Sequence, residues 1–182
     1  LKTTQKKKKK AKTETLVDDV TFSGAMLAKA TKSNNRLLYL TPTLTEDLHL
    51  SGVASIKIKL ASSKAAANLS VWLVSLPWEE KGGVKITDNI ITRGWADPQN
   101  HESIRKSSPL VPGDFYTISF DLIPDDQVIR KGQQIGLMIF SSDREFTLWP
   151  KAGTELTVEL DDTVLSLPIV GGMKAYEKAT TK

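Results

Sequence analysis

The stretch Leu110–Asp143, LVPGDFYTISFDLIPDDQVIRKGQQIGLMIFSSD, constrains this chain most, because two strand patterns of different kinds follow one another in it. From Phe115 to Leu122 the residues alternate, with Tyr116, Ile118, Phe120 and Leu122 on one side and Phe115, Thr117, Ser119 and Asp121 on the other. Successive side chains of a strand point to opposite faces, so this period of two describes a half-buried strand. From Gln134 to Phe140 both sides are apolar, Ile135, Leu137 and Ile139 against Gly136, Met138 and Phe140. That describes a central strand covered on both faces. Ile118 and Leu137 are therefore expected between two sheets. Pro112-Gly113 launches the first strand, Pro124-Asp125-Asp126 ends it and Lys131-Gly132 starts the second, since proline presets a turn dihedral and glycine tolerates positive φ. The connection is too long for a tight hairpin and suits the crossover of a sandwich.

The remainder reads as strands added to this pair. Thr13 to Asn35 is polar and aperiodic, and Gly24–Ala28 fits either one helical turn or a covered loop. Arg36 to Thr41 is a short strand stopped by Pro42, and Leu44 to Leu50 leads into a turn at Ser51-Gly52. Val53 to Ala61 alternates Ile56, Ile58 and Leu60 against Ser55, Lys57 and Lys59, a strand with one wet face. Asn68 to Leu76 is apolar on both sides and so central; Pro77 ends it, and Lys81-Gly82-Gly83 marks an exposed turn. Val84 to Ala96 is strand-like, with Gly94 placed for a bulge or a close backbone approach. Asp97 is poised to cap a short helix beginning at Pro98. Thr154 to Leu160 and Thr163 to Val170 are two further strands. About eight to ten short strands with turn signals every 8–12 residues describe an all-β fold of two sheets. Residues 1–12 form a lysine-rich segment, 13–172 the β-sandwich domain and 173–182 a C-terminal tail.

Charge and composition narrow the function. The net charge of +4 comes from seven lysines in the first twelve residues; the other 170 residues carry 18 basic and 21 acidic groups, a net of −3. A lysine run without interleaved aromatics is a poor surface for stacking bases, which argues against nucleic acid as a partner. No apolar run reaches the roughly 18 residues of a membrane-spanning helix. The absence of cysteine excludes a disulfide framework, a thiolate metal site and a cysteine nucleophile, and leaves the compartment open. A chain beginning at Leu1 reads as a piece of a longer protein.

Catalytic chemistry is not legible. No G-x-S-x-G occurs, and Ser62-Ser63, Ser107-Ser108 and Ser141-Ser142 lie at strand ends, where serine is an ordinary turn residue. The only histidines are His49, in an edge strand, and His101, in a polar loop; their separation does not fit zinc-ligand spacing. The carboxylate pairs Asp18-Asp19, Glu79-Glu80, Asp125-Asp126 and Asp161-Asp162 are adjacent in extended chain, so their side chains diverge and cannot act as acid–base couples. Neither a metal nor a cofactor is called for. Trp72 sits mid-strand in the core, whereas Trp78, Trp95 and Trp149 lie beside turns, where exposed aromatics serve as sugar platforms or protein-interface anchors.

The runs ITRGWADPQNHESIR, PLVPGDFYTISFDLIPDDQVIRKGQQIGLMIFSSDREFTL and LPIVGG, together with NRLLYLTPTLTEDLHLSG and AANLSVWLV upstream, resemble the C-terminal domain of X-Pro dipeptidyl-peptidases in the wider cocaine esterase family of acyl hydrolases. The resemblance covers Thr13 to Gly172. The family pattern favours histidine or a second basic residue after the Lys-Gly turn, where this chain has Gln133 and Gln134. The resemblance implies a jelly-roll, galactose-binding-like β-sandwich joined to an α/β-hydrolase domain that holds the Ser-His-Asp triad, so no catalytic residue carries over. The implied partner is that catalytic domain; a homo-oligomer is also left open. The surface expected to dock on it includes Arg93, Trp95, His101 and Arg105: the arginines offer forked donors, Trp95 a large apolar area, and Asp97-Pro98 a stiff backbone. A free-standing carbohydrate- or surface-binding module is the alternative, and an autonomous enzyme is the weakest reading.

Overall fold

The structure, a computed structural model, describes residues 11–79 and 88–181. Most of the lysine-rich segment, the Lys81-Gly82-Gly83 turn, Glu80 and the first residues of the strand expected from Val84 lie outside that range. In chain order the elements are β1 (Thr13–Val17), α1 (Gly24–Lys29), β2 (Arg36–Leu40), β3 (Leu48–Gly52), β4 (Ser55–Ser62), β5 (Leu69–Leu76), β6 (Ile90–Ala96), a 3-10 turn at Pro98–Asn100, β7 (Phe115–Asp121), β8 (Asp125–Ile129), β9 (Gln134–Phe140), β10 (Glu155–Ser166) and α2 (Gly172–Thr180).

The strands form two antiparallel four-stranded sheets, β1-β10-β4-β7 and β2-β9-β5-β6, with β3 and β8 paired separately. This is the all-β sandwich the sequence implied. The two patterns of Leu110–Asp143 belong to opposite sheets, with β7 at the edge of one and β9 inside the other. Between the sheets lie Ile56, Ile58, Leu60 and Ile118 from the first, and Leu69, Val71, Leu73, Ile135 and Ile139 from the second. Leu137 faces the same core but is only part-buried, a correction to the burial expected for it.

The second sheet needs apolar residues on its outer face too, because α1 covers it. Leu27 and Ala28 of α1 pack on Trp72, Val74, Met138 and Phe140. Ser23 caps α1, its hydroxyl accepting from the Met26 amide, and the buried Arg36 guanidinium donates to the carbonyls of Leu27 and Ala30 at its far end. Burial lowers the Arg36 pKa from its ordinary value.

Four local expectations are corrected. β1 forms from residues that show no periodicity, because the β10 edge supplies its hydrogen bonds. Ser51-Gly52 is not a turn but the end of β3, paired with Asp126 and Asp125 of β8, a strand hidden inside the presumed connection. The two strands expected on either side of Asp161-Asp162 are one strand, β10, with a register shift between Glu159 and Val164; the Lys59 ammonium holds the irregular part by bonding Glu159 (3.0 Å) and Asp162 (3.1 Å). The presumed tail 173–182 carries α2, because Ala175, Tyr176 and Ala179 reach the core and Thr45 Oγ1 donates to the Ala179 carbonyl (3.1 Å). Gly94 is a point of close approach: a Cβ there would lie 3.0 Å from Leu122 Cγ and 3.1 Å from Phe120 Cε2, so even a methyl group would require these neighbours to yield.

Candidate functional site

The outer face of the second sheet ends in a cluster built from the last residues of β6 and β9 and the first of β5. Trp72 pairs with Arg93, and Ser70 pairs with both Trp95 and Phe140, so all five share that outer face. The chain leaving β9 folds back over them. Ser141 Oγ donates to the Asn68 carbonyl (3.0 Å), Ser70 Oγ donates to the Ser141 carbonyl (2.7 Å), and Asp143 is then driven fully inside.

Asp143 is the hub. Its Oδ2 accepts from the indole N–H of Trp72 (2.9 Å) and of Trp95 (3.0 Å), while its Oδ1 is buried with no hydrogen-bond partner. Burial raises its pKa above the ordinary carboxylate range, opposed by the two indoles, by the charge of Arg93 and by the Glu145 amide. The Arg93 guanidinium lies over the Trp72 ring (4.6 Å) and also over Phe146 (5.0 Å), and Trp95 stacks on Phe146 with centroids 5.2 Å apart. Such cation–π and stacked contacts are strongest where water is kept away.

The structure brings together two of the four residues expected at the docking surface. Arg93 and Trp95 share the Asp143 cluster. His101 does not join it: its ring lies tilted against Tyr116 of the opposite sheet with centroids 4.4 Å apart, and its Nδ1 lies 3.1 Å from the Pro98 carbonyl. Arg105 is exposed in the same loop, whose start is fixed as anticipated by Asp97 accepting from the Gln99 amide. Sequence reasoning missed Asp143, Phe146 and Leu148. A carboxylate three residues past an all-apolar central strand, followed by two further apolar residues and Trp149, was the available signal.

The groups of an acyl-transfer site are engaged elsewhere. Ser142 Oγ donates to the buried Asp18 (2.9 Å), and His49 Nε2 is 2.5 Å from Asp126 across β3 and β8. Among the described residues no cluster of three or more His, Asp or Glu suits a metal.

Comparison with known proteins agrees with this arrangement. Residues 1–180 match the family described as the X-Pro dipeptidyl-peptidase C-terminal non-catalytic domain. The chain belongs to that family. It is 66% identical over 160 residues to a protein of Rhodopirellula baltica carrying the name Xaa-Pro dipeptidyl-peptidase, covering 88% of this chain and 26% of that protein. A Bacillus cereus protein of the same name is 43% identical over 136 residues, covering 75% of this chain and 22% of its own length. The chain thus spans about a quarter of these relatives. In fold it is similar to part of an aminopeptidase from a marine-sediment Thaumarchaeota archaeon, with a TM-score of 0.67 at 17% identity over 88% of this chain and 33% of that one. An α-amino acid ester hydrolase has a TM-score of 0.65 at 16% identity, over 87% of this chain and 32% of that one.

Proposed function

We propose that the domain belongs to a serine peptidase that removes N-terminal X-Pro dipeptides, and that it packs on the α/β-hydrolase domain of the same polypeptide through the end of the sandwich that carries Arg93 to Arg105. The observation that supports this most is the loop after β6. It is stiffened by Pro98 and by the Gln99 side chain, which accepts from the Ala67 amide (2.7 Å), yet it leaves Ile104 89% exposed beside an exposed Arg105. A rigid loop with an apolar tip and a forked cation suits an inter-domain contact.

Arg105→Ala is the clean probe. Arg93 and Trp95 hold the Asp143 cluster together, so changing them would disturb folding as well as docking. The full-length enzyme should release dipeptides from X-Pro-nitroanilides, whereas this chain alone should not. Arg105→Ala should lower the activity of the full-length enzyme and leave the unfolding of this domain unchanged. An unaltered enzyme, or a drop in domain stability that accounts for the loss, would overturn the proposal.

A further inference from the structure

Resting on that reading, we propose that the loop 143–150 is a second element of the same docking surface, with Phe146, Leu148 and Trp149 seated in an apolar face of the catalytic domain. The loop has a well-satisfied backbone. The amides of Phe146 and Thr147 both donate to the Asp143 carbonyl (2.9 Å each), Thr147 Oγ1 donates to it as well (3.1 Å), and Trp149 Nε1 donates to the Arg144 carbonyl (3.1 Å). Asn68 Nδ2 donates to Ser142 Oγ (3.1 Å), Thr147 Oγ1 (3.3 Å) and the Leu148 carbonyl. With Asp143 buried under two indoles, the loop is anchored at both ends of its turn.

What this anchored backbone presents to solvent is apolar. Leu148 is 90% exposed, Trp149 59% and Phe146 51%. Since a large aromatic side chain carries about 150–250 Å², the three together expose on the order of 300–400 Å², the size of the largest apolar patch on a typical soluble monomer, which is often functional. Holding the backbone that carries these side chains in place before binding removes the loop-ordering part of the cost of an interface.

The occupant is indicated by position and by length. Asn68 anchors Leu148, and its neighbour Ala67 anchors Gln99, so the loop 143–150 and the loop bearing Ile104 and Arg105 attach to the same two residues just before β5. About three quarters of each relative's length lies outside the part that this domain matches, which offers a partner within the same polypeptide. Arg105, Lys106 and Arg144 are exposed in these two loops, as are Glu102 and Glu145, so the rim around the apolar side chains carries both signs of charge.

Single-cysteine probes in the full-length polypeptide test this, since this domain has no cysteine of its own. Leu148→Cys reports on the new element, Ile104→Cys on the Arg93–Arg105 segment, and Val164→Cys, at a 55% exposed position on β10, is the free reference. Maleimide labelling, read on the peptide that bears each probe, should be at least about tenfold slower at positions 148 and 104 than at 164. Fast labelling at 148 with protection at 104 overturns this inference and leaves the docking reading standing. Fast labelling at both removes the two together. Protection at 148 that rises with protein concentration assigns the patch to a second copy of the chain and overturns the inference.

Discussion

Gly24→Ala should destabilise the domain although it places a better helix former in α1. The ideal Cβ would stand 2.2 Å from Trp72 Cη2, 2.3 Å from Cζ2 and 2.8 Å from Cζ3, against ordinary contact at 3.4–4 Å. One partner must therefore retreat by roughly 1 Å. Trp72 has little room: it is 1% exposed, meets Phe140 edge-on at 5.6 Å, lies under the Arg93 guanidinium and donates its N–H to Asp143. If α1 lifts instead, Leu27 and Ala28 leave the outer cluster, and exposing a leucine alone costs about 1.5–3 kcal/mol. Against this stands at most about 1 kcal/mol of helix propensity, less at the first residue of a six-residue helix. Overpacking of about 1–3 kcal/mol prevails, for a net loss near 2 kcal/mol. For a chain of this size that lowers Tm by about 4–8 °C, measured by circular dichroism with tryptophan emission followed alongside. A Tm equal to or above that of the parent protein would refute the packing argument.

Ile139→Ala, in the centre of the inter-sheet core, should cost about 2–5 kcal/mol in urea unfolding, whereas Val164→Ala on the exposed side of β10 should stay within about 0.5 kcal/mol; equal midpoints would contradict the strand assignment. Asp143→Asn should remove a pH dependence whose sign follows from burial. Because the folded pKa lies above the unfolded one, near 3.9, the folded state holds its proton longer, and the group's stabilising contribution is complete at low pH. The stability difference between the parent protein and Asp143→Asn should therefore fall as pH rises from about 4 through the folded pKa and flatten above it. A difference that grew with pH would mean that the indoles and Arg93 outweigh burial.

Central strands and core faces were legible in the residues wherever a single period repeated. The alternation in β4 and β7 and the unbroken apolar runs of β5 and β9 state which side chains are inside and which strands are central, because burial of alternate residues acts on each strand alone. The close approach at Gly94 and the cap at Asp97 were equally local. Of the four residues expected to dock, Arg93 and Trp95 stand two residues apart on one strand and so share a face, while His101 and Arg105 follow a turn whose direction no spacing encodes.

What the tertiary structure decided has a common cause, the supply of a partner from far along the chain. β1 exists because β10 offers an edge, β8 because β3 does, and α2 because the core near Thr45 accepts Ala179. Asp143 could not be recognised as a hub from sequence, since both of its indole donors lie at least 48 residues away. Its burial, its raised pKa and the exposure of Phe146, Leu148 and Trp149 depend on the loop after β9 folding back over β5 and β6. The sequence by itself determined the strands with a clear period and their faces, β4, β5, β7 and β9; the strands that needed a distant edge, and the ends of the sandwich where the function is proposed to reside, were determined only when the sheets met.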